Sequence, residues 1–111
     1  MEAIPDISGT VIFVVVLEIR EAAIARFLEL LNPVLDAMRH EASFVSAVLH
    51  RDPSDPGRFM LYETWTDLDD VVRVQMGRDY RQAYWAELPD LLRSERGVQI
   101  WQPVRSDFAG Q

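Results

Sequence analysis

The sequence predicts an α+β domain with the element order β-α-β-β-α-β. Three observations carry that expectation. Two helical regions keep an apolar period, the second of them broken in two, and four runs have strand character. A turn-dense hexapeptide, Asp52-Pro53-Ser54-Asp55-Pro56-Gly57, joins the middle two strands. At 111 residues the chain is one domain, 1–111, with a core from about residue 10 to 104. Met1 to Gly9 reads as a loose arm and residues 105–111 as a tail.

Thr10 to Glu18 is β-branched and apolar without alternation, as in a strand buried on both faces. From Glu21 to Arg39 the apolar residues Ile24, Phe27, Leu28, Leu31, Leu35 and Met38 recur at helical spacing. Pro33 interrupts this helix; it is expected either to kink it or to let Asn32 cap a second segment. Ser43 to Arg51 and Arg58 to Trp65 are strands, with Arg51 roughly opposite Arg58, His50 opposite Phe59 and Phe44 opposite Trp65. Thr66 is the expected N-cap of the next helix, with Asp67, Asp69 and Asp70 where a helix N-terminus favours negative charge. Leu68, Val71, Val72 and Gln75 share one face of it, and Gly77 is a stop. A further helix runs from about Asp79 to Arg93 with Tyr80, Tyr84, Leu88 and Leu91 on one side and a kink expected at Pro89. Gly97 to Val104 is the last strand. Right-handed crossovers then give the ferredoxin-like arrangement, a four-stranded antiparallel sheet with helices on one face.

The first strand also points beyond one copy. Val11, Phe13, Val15 and Leu17 alternate with Ile12, Val14 and Val16, so both faces are apolar while helices cover only one. A second copy of the same sheet covers the other most economically, giving a homodimer in the form of a dimeric α+β barrel. The arm from Met1 to Gly9 is the alternative cover.

Net charge is −7, which argues against nucleic acid and anionic membranes as partners. The apolar run Val11 to Leu17 is too short to span a bilayer, and no leader pattern opens the chain, so a bacterial, cytoplasmic location is the expectation. There is no cysteine, which removes disulfides and thiolate chemistry. All eleven basic residues are arginine, so no lysine can form a Schiff base. Two isolated histidines without ligand spacing make no metal site.

Arg39-His40-Glu41-Ala42, a strand, the hairpin, and then Tyr62-Glu63-Thr64-Trp65-Thr66-Asp67 resemble the antibiotic biosynthesis monooxygenase family over Thr10 to Val104. The resemblance implies a dimeric α+β barrel. It also implies either an oxygenase of electron-rich phenols or quinols that uses neither metal nor flavin, or a haem-degrading relative. Many members carry a histidine nine or ten residues after the motif tryptophan, and haem degraders use it as iron ligand. Val74 and Gln75 stand there, which argues against haem degradation.

The candidate site gathers around the end of the third strand. Trp65 either walls a pocket, stacking on a planar aromatic ligand, or closes the core. Phe44, opposite it, belongs to the same end. Glu63 shares Trp65's face of its strand; buried there, it has the raised pKa of a proton-transfer group, the alternative being an ion pair with an arginine. His40, at the end of the first helix, is a second candidate base, or simply a cation at a helix C-terminus. Gln75, Tyr80 and Tyr84 are candidate ligand contacts, or solvated and core residues. His50 is excluded, because six residues of strand put it some ~20 Å from Trp65. The function the resemblance implies for this site is cofactor-independent oxygenation of a small aromatic substrate. The alternatives are a non-catalytic ligand-binding barrel, or an isomerase or lyase using Glu63 or His40 as base.

Overall fold

The computed structural model describes residues 9–110. Most of the expected arm lies outside the described residues. The elements are β1 (Val11–Glu18), α1 (Ile24–Met38), β2 (Phe44–Asp52), β3 (Asp55–Trp65), α2 (Leu68–Arg73), α3 (Gln82–Leu91) and β4 (Gly97–Trp101). A 3₁₀ turn, Glu21–Ala23, leads into α1, and two more, Gln75–Gly77 and Asp79–Arg81, lie between α2 and α3. The strands form one antiparallel sheet in the order β2-β3-β1-β4. This is the ferredoxin-like topology that the element order implies.

Strand alternation sorts the side chains. On β1, Val11, Phe13, Val15 and Leu17 face the helices; their β3 partners Trp65, Glu63, Leu61 and Phe59 face the same way. The core packs this face against Phe27, Leu31, Val34 and Met38 of α1 and Tyr84, Leu88 and Leu91 of α3. Each fully buried side chain of this size contributes about 1.5–3 kcal/mol by leaving water. Gly57 passes so close to the Ile19 carbonyl that any Cβ would collide with it, and Ile19 N–H donates to the Gly57 carbonyl at 2.7 Å.

Several boundaries differ from the sequence expectation. Pro33 neither ends nor divides α1, which runs through it from Ile24 to Met38. The proline and Glu29, whose carbonyl loses its helical donor, both lie on the exposed side, while Leu30, Leu31 and Val34 are buried. Asp67, rather than Thr66, caps α2: its carboxylate accepts from Asp70 N–H at 3.1 Å. Thr66 instead donates its N–H to the Ser43 carbonyl at 2.8 Å. The β2–β3 turn is tighter than the hexapeptide suggests, because the Asp52 carboxylate accepts from Ser54 N–H and Asp52 already pairs with Asp55. Arg51 therefore pairs with Phe59 and His50 with Met60, one residue off. A second irregularity between Phe44 and Ser46 leaves Val45 over, so Phe44 still meets Trp65. β4 stops at Trp101, two residues before Pro103, which has no N–H to donate.

Candidate functional site

α1 covers its half of the sheet with fifteen helical residues, but the second crossover is broken. α2 has six residues, and two 3₁₀ turns follow before α3 begins. The broken crossover leaves a cavity of about 240 Å³ between the sheet and these short segments. Phe13 and Val15 of β1, Glu63 of β3, and Val98 and Ile100 of β4 line it from the sheet. Val71, Val72 and Met76 form its roof, and Arg81, Trp85 and Arg96 close its sides. Val72, Met76, Val98 and Ile100 are all exposed, an apolar rim open to solvent.

The roof is held by a chain of polar contacts. The Asp70 carboxylate accepts from Ser43 Oγ at 2.6 Å and from Gln75 Nε2 at 3.1 Å. Tyr80 Oη donates its one proton to Glu41 at 2.9 Å and lies 3.2 Å from Gln75 Oε1, and Arg78 pairs with the same glutamate. Burial pushes Glu41 upward, but the hydrogen bonds from Tyr80 and Arg78 outweigh it and hold the carboxyl below its usual range. Trp85 Nε1 donates to the Met76 carbonyl at 3.1 Å, tying α3 to the roof.

Glu63 is 9% exposed, and Trp65 Nε1 donates to its Oε1 at 2.9 Å. Burial raises its pKa; the indole hydrogen bond and the fields of Arg81 and Arg96 offset part of that rise. A carboxyl held above its ordinary range in an apolar pocket can carry a proton to or from a bound molecule. Arg81 is 6% exposed and forms none of the ion pairs made by the described residues. Its Nε–H finds no acceptor. Arg96 lies against the Trp85 ring, 4.8 Å from its centroid.

Of the residues the sequence singled out, Glu63 lines the cavity. Trp65 is fully buried behind it, with Phe44 packed edge-on at 5.2 Å between centroids. Gln75 is also buried, its Nε2 donating to Asp70 and its Oε1 lying beside the Tyr80 hydroxyl. Tyr80 therefore belongs to the roof-holding network. Tyr84 is packed between Phe27 and Trp85, and burial pushes its hydroxyl up to about 12. His40 is exposed at the end of α1, on a separate open groove with Glu41, Arg78 and Tyr80, so it is not brought together with Glu63. His50 lies on the sheet face opposite the helices, its Nδ1 3.3 Å from the Met60 carbonyl. Arg81 and Arg96 were not among the sequence candidates. Arg81 carried a signal nonetheless: it falls three residues before Tyr84 and seven before Leu88, on the apolar side of the last helical region. Among the described residues no cluster of three metal-ligating side chains occurs, and no helix is long and apolar enough to cross a membrane.

A ferredoxin-like sheet whose broken second crossover leaves an apolar pocket over a buried carboxyl is thus the class of protein the fold and site define. The family model for antibiotic biosynthesis monooxygenases matches residues 10–86, and the chain belongs to that family. It is 32% identical over 79 residues to the candidate monooxygenase GME11364 of Pestalotiopsis microspora, an alignment covering 70% of this chain and 66% of that relative's length. Its fold is similar to that of a candidate antibiotic biosynthesis monooxygenase from Nitrosomonas europaea (TM-score 0.81, 15% identity, 91% of this chain and 96% of that one). It is likewise similar to SnoaB, a cofactor-independent oxygenase from Streptomyces nogalater (TM-score 0.75, 17% identity, 89% and 97% covered).

Proposed function

We propose that this chain is a cofactor-independent monooxygenase of a small aromatic substrate of the phenol, quinol or anthrone kind. The observation that carries the reading is Glu63, a buried carboxyl with raised pKa facing an apolar cavity. Family membership and the likeness to a cofactor-independent oxygenase support it. In this reaction Glu63 takes a proton from the acidic C–H or O–H of the bound ring, leaving an electron-rich anion that dioxygen oxidises. One oxygen atom becomes a carbonyl on the activated carbon; the other leaves as water with two hydrogens, both from the methylene of an anthrone, or one from the ring carbon and one from the hydroxyl of a phenol. The substrate supplies all the electrons, so the protein's part is to bind, deprotonate and shield the anion from water. Gln75, standing where haem-degrading relatives hold iron, is buried with its Nε2 donating to Asp70, which favours this branch of the family over haem degradation.

The working unit in this reading is a homodimer. Ile12, Val14, Val16, Val48, Tyr62 and Trp101 lie on the sheet face away from the helices, and the last three are 40–57% exposed. A second sheet laid on this face closes the barrel. Light scattering is expected to give about twice 12.8 kDa, and a stable monomer at micromolar concentration removes the dimer. Oxygen uptake over a panel of anthrones and quinols tests the chemistry. Wild type should consume oxygen with at least one compound, and Glu63→Gln should bind that compound without turning it over. Binding without any uptake by wild type would leave a ligand-binding barrel instead.

A further inference from the structure

Two guanidinium groups and one carboxyl line a pocket whose other walls are apolar. Arg96 is stacked on Trp85, and the one carboxyl, Glu63, already accepts the Trp65 indole N–H. Arg81 is the group left over. It is 6% exposed, makes no ion pair among the described residues, and its Nε–H has no acceptor. The Tyr80 ring, 5.7 Å from its guanidinium carbon, attracts the charge and its hydroxyl meets the guanidinium, but a neutral phenol supplies no counter-charge and leaves Nε without an acceptor. The field of Arg81 reaches Glu63, but burial favours the neutral form of that carboxyl and the two make no ion pair, whereas folded proteins normally pair a buried cation.

We infer that the pocket is built for a planar aromatic acid, ionised before it binds, whose anionic oxygens take the empty place beside Arg81. This deepens the oxygenase reading and rests on its assignment of the pocket as the ligand site. It names a substrate that carries a carboxylate, or an equally acidic hydroxyl, in addition to the position that Glu63 deprotonates. The acid supplies the missing counter-charge, and its two oxygens suit the planar fork of a guanidinium. Benzene occupies an apolar cavity of ~150 Å³, so a cavity of 240 Å³ accepts a two-ring acid.

Calorimetric titration of the full chain with 2-naphthoate and with its neutral isostere 2-naphthamide tests this directly. Wild type should bind the acid roughly ten- to a hundredfold more tightly than the amide, the difference a charge-assisted hydrogen bond supplies. Arg81→Met should erase that preference while keeping the amide's affinity. Removing a buried unpaired charge is not expected to lower the melting temperature, and the wild-type comparison stands without the variant. Equal binding of acid and amide by wild type overturns the inference while leaving the pocket as a ligand site. A preference that survives Arg81→Met overturns it as well. Binding of neither compound removes the pocket reading itself, and the acid specificity with it.

Discussion

The helix-facing side of the sheet has two halves that differ in finish. Under α1 it is closed and dry: Leu17, Phe27 and Leu31 are 0–2% exposed, and Phe27 meets Phe59 at 5.0 Å. Under α2 and the turns before α3 the same strands carry Glu63 between Leu61 and Trp65, and the cover is incomplete. Alternation is unbroken along β1 and from Phe59 to Trp65 of β3, so these central strands do not make the difference; the crossovers do. α1 presents five buried side chains in fifteen residues, whereas α2 presents two in six before the chain turns away. A continuous helix seals a sheet, and a broken one leaves a site on it.

If that division is right, truncation should be costly in one half and informative in the other. The largest effect is expected for Phe27→Ala in the closed half, about 3–5 kcal/mol by loss of burial and creation of a void. That is a large share of the ~5–15 kcal/mol that holds a domain together, so denaturant titration should show a much lower midpoint or no folded baseline. A loss below about 1 kcal/mol would mean that the closed half is not tightly packed.

In the open half, Glu63→Gln should end turnover and yet stabilise the protein at neutral pH. The carboxyl's pKa is higher folded than unfolded, so the folded chain binds the proton more tightly. Stability from this group is therefore greatest below the ordinary carboxylate value of 4.5. It falls as pH rises from there through the raised folded value. Glutamine stays neutral and still accepts the Trp65 N–H. Melting curves should show the variant above wild type at neutral pH, the gap closing on acidification. A gap of the opposite sign would make Glu63 a structural anion.

Trp65→Phe sits on the boundary between the halves. It removes the N–H that Glu63 Oε1 accepts and leaves a buried acceptor short of a partner, a cost of about 1–3 kcal/mol. The indole is also one of the groups pulling the Glu63 pKa down, so its loss should move the acid limb of the pH–rate profile to higher pH. A lower melting temperature with an unmoved limb would reduce Trp65 to packing.

The fold was legible because its signals are local and repeated: period-two strands, helical spacing and a turn of Asp, Pro and Gly. Glu63 was legible for the same reason, since two residues' separation from Trp65 sets its face whatever the register. Register itself was not, because bulges at Val45 and beside Asp52 depend on how two strands and a capped turn settle together. The role of Gln75 was hidden too: its partners Asp70 and Tyr80 each lie five residues away, but only the break after α2 brings all three together. Arg81 was the clearest signal left unread, a charge on the apolar side of a helical region, where a soluble face would not place it.

The smallest effect should come from His40, and it decides between two places for the chemistry. His40 shares its open groove with Glu41, Arg78 and Tyr80, on the far side of the network that holds the roof. Glu41 there is committed as an anion to Arg78 and Tyr80, so the groove has no carboxyl ready to take a proton near neutral pH. The imidazole is exposed, and what it adds as a cation at the end of α1 is worth about 0.3–1 kcal/mol at most. His40→Ala should therefore change turnover by less than about twofold, a shift of under ~0.4 kcal/mol in barrier. Its melting temperature should stay within a few degrees of wild type. Loss of turnover in a variant that melts like wild type would move the reacting atoms out of the pocket over Glu63 and into the groove beside Glu41.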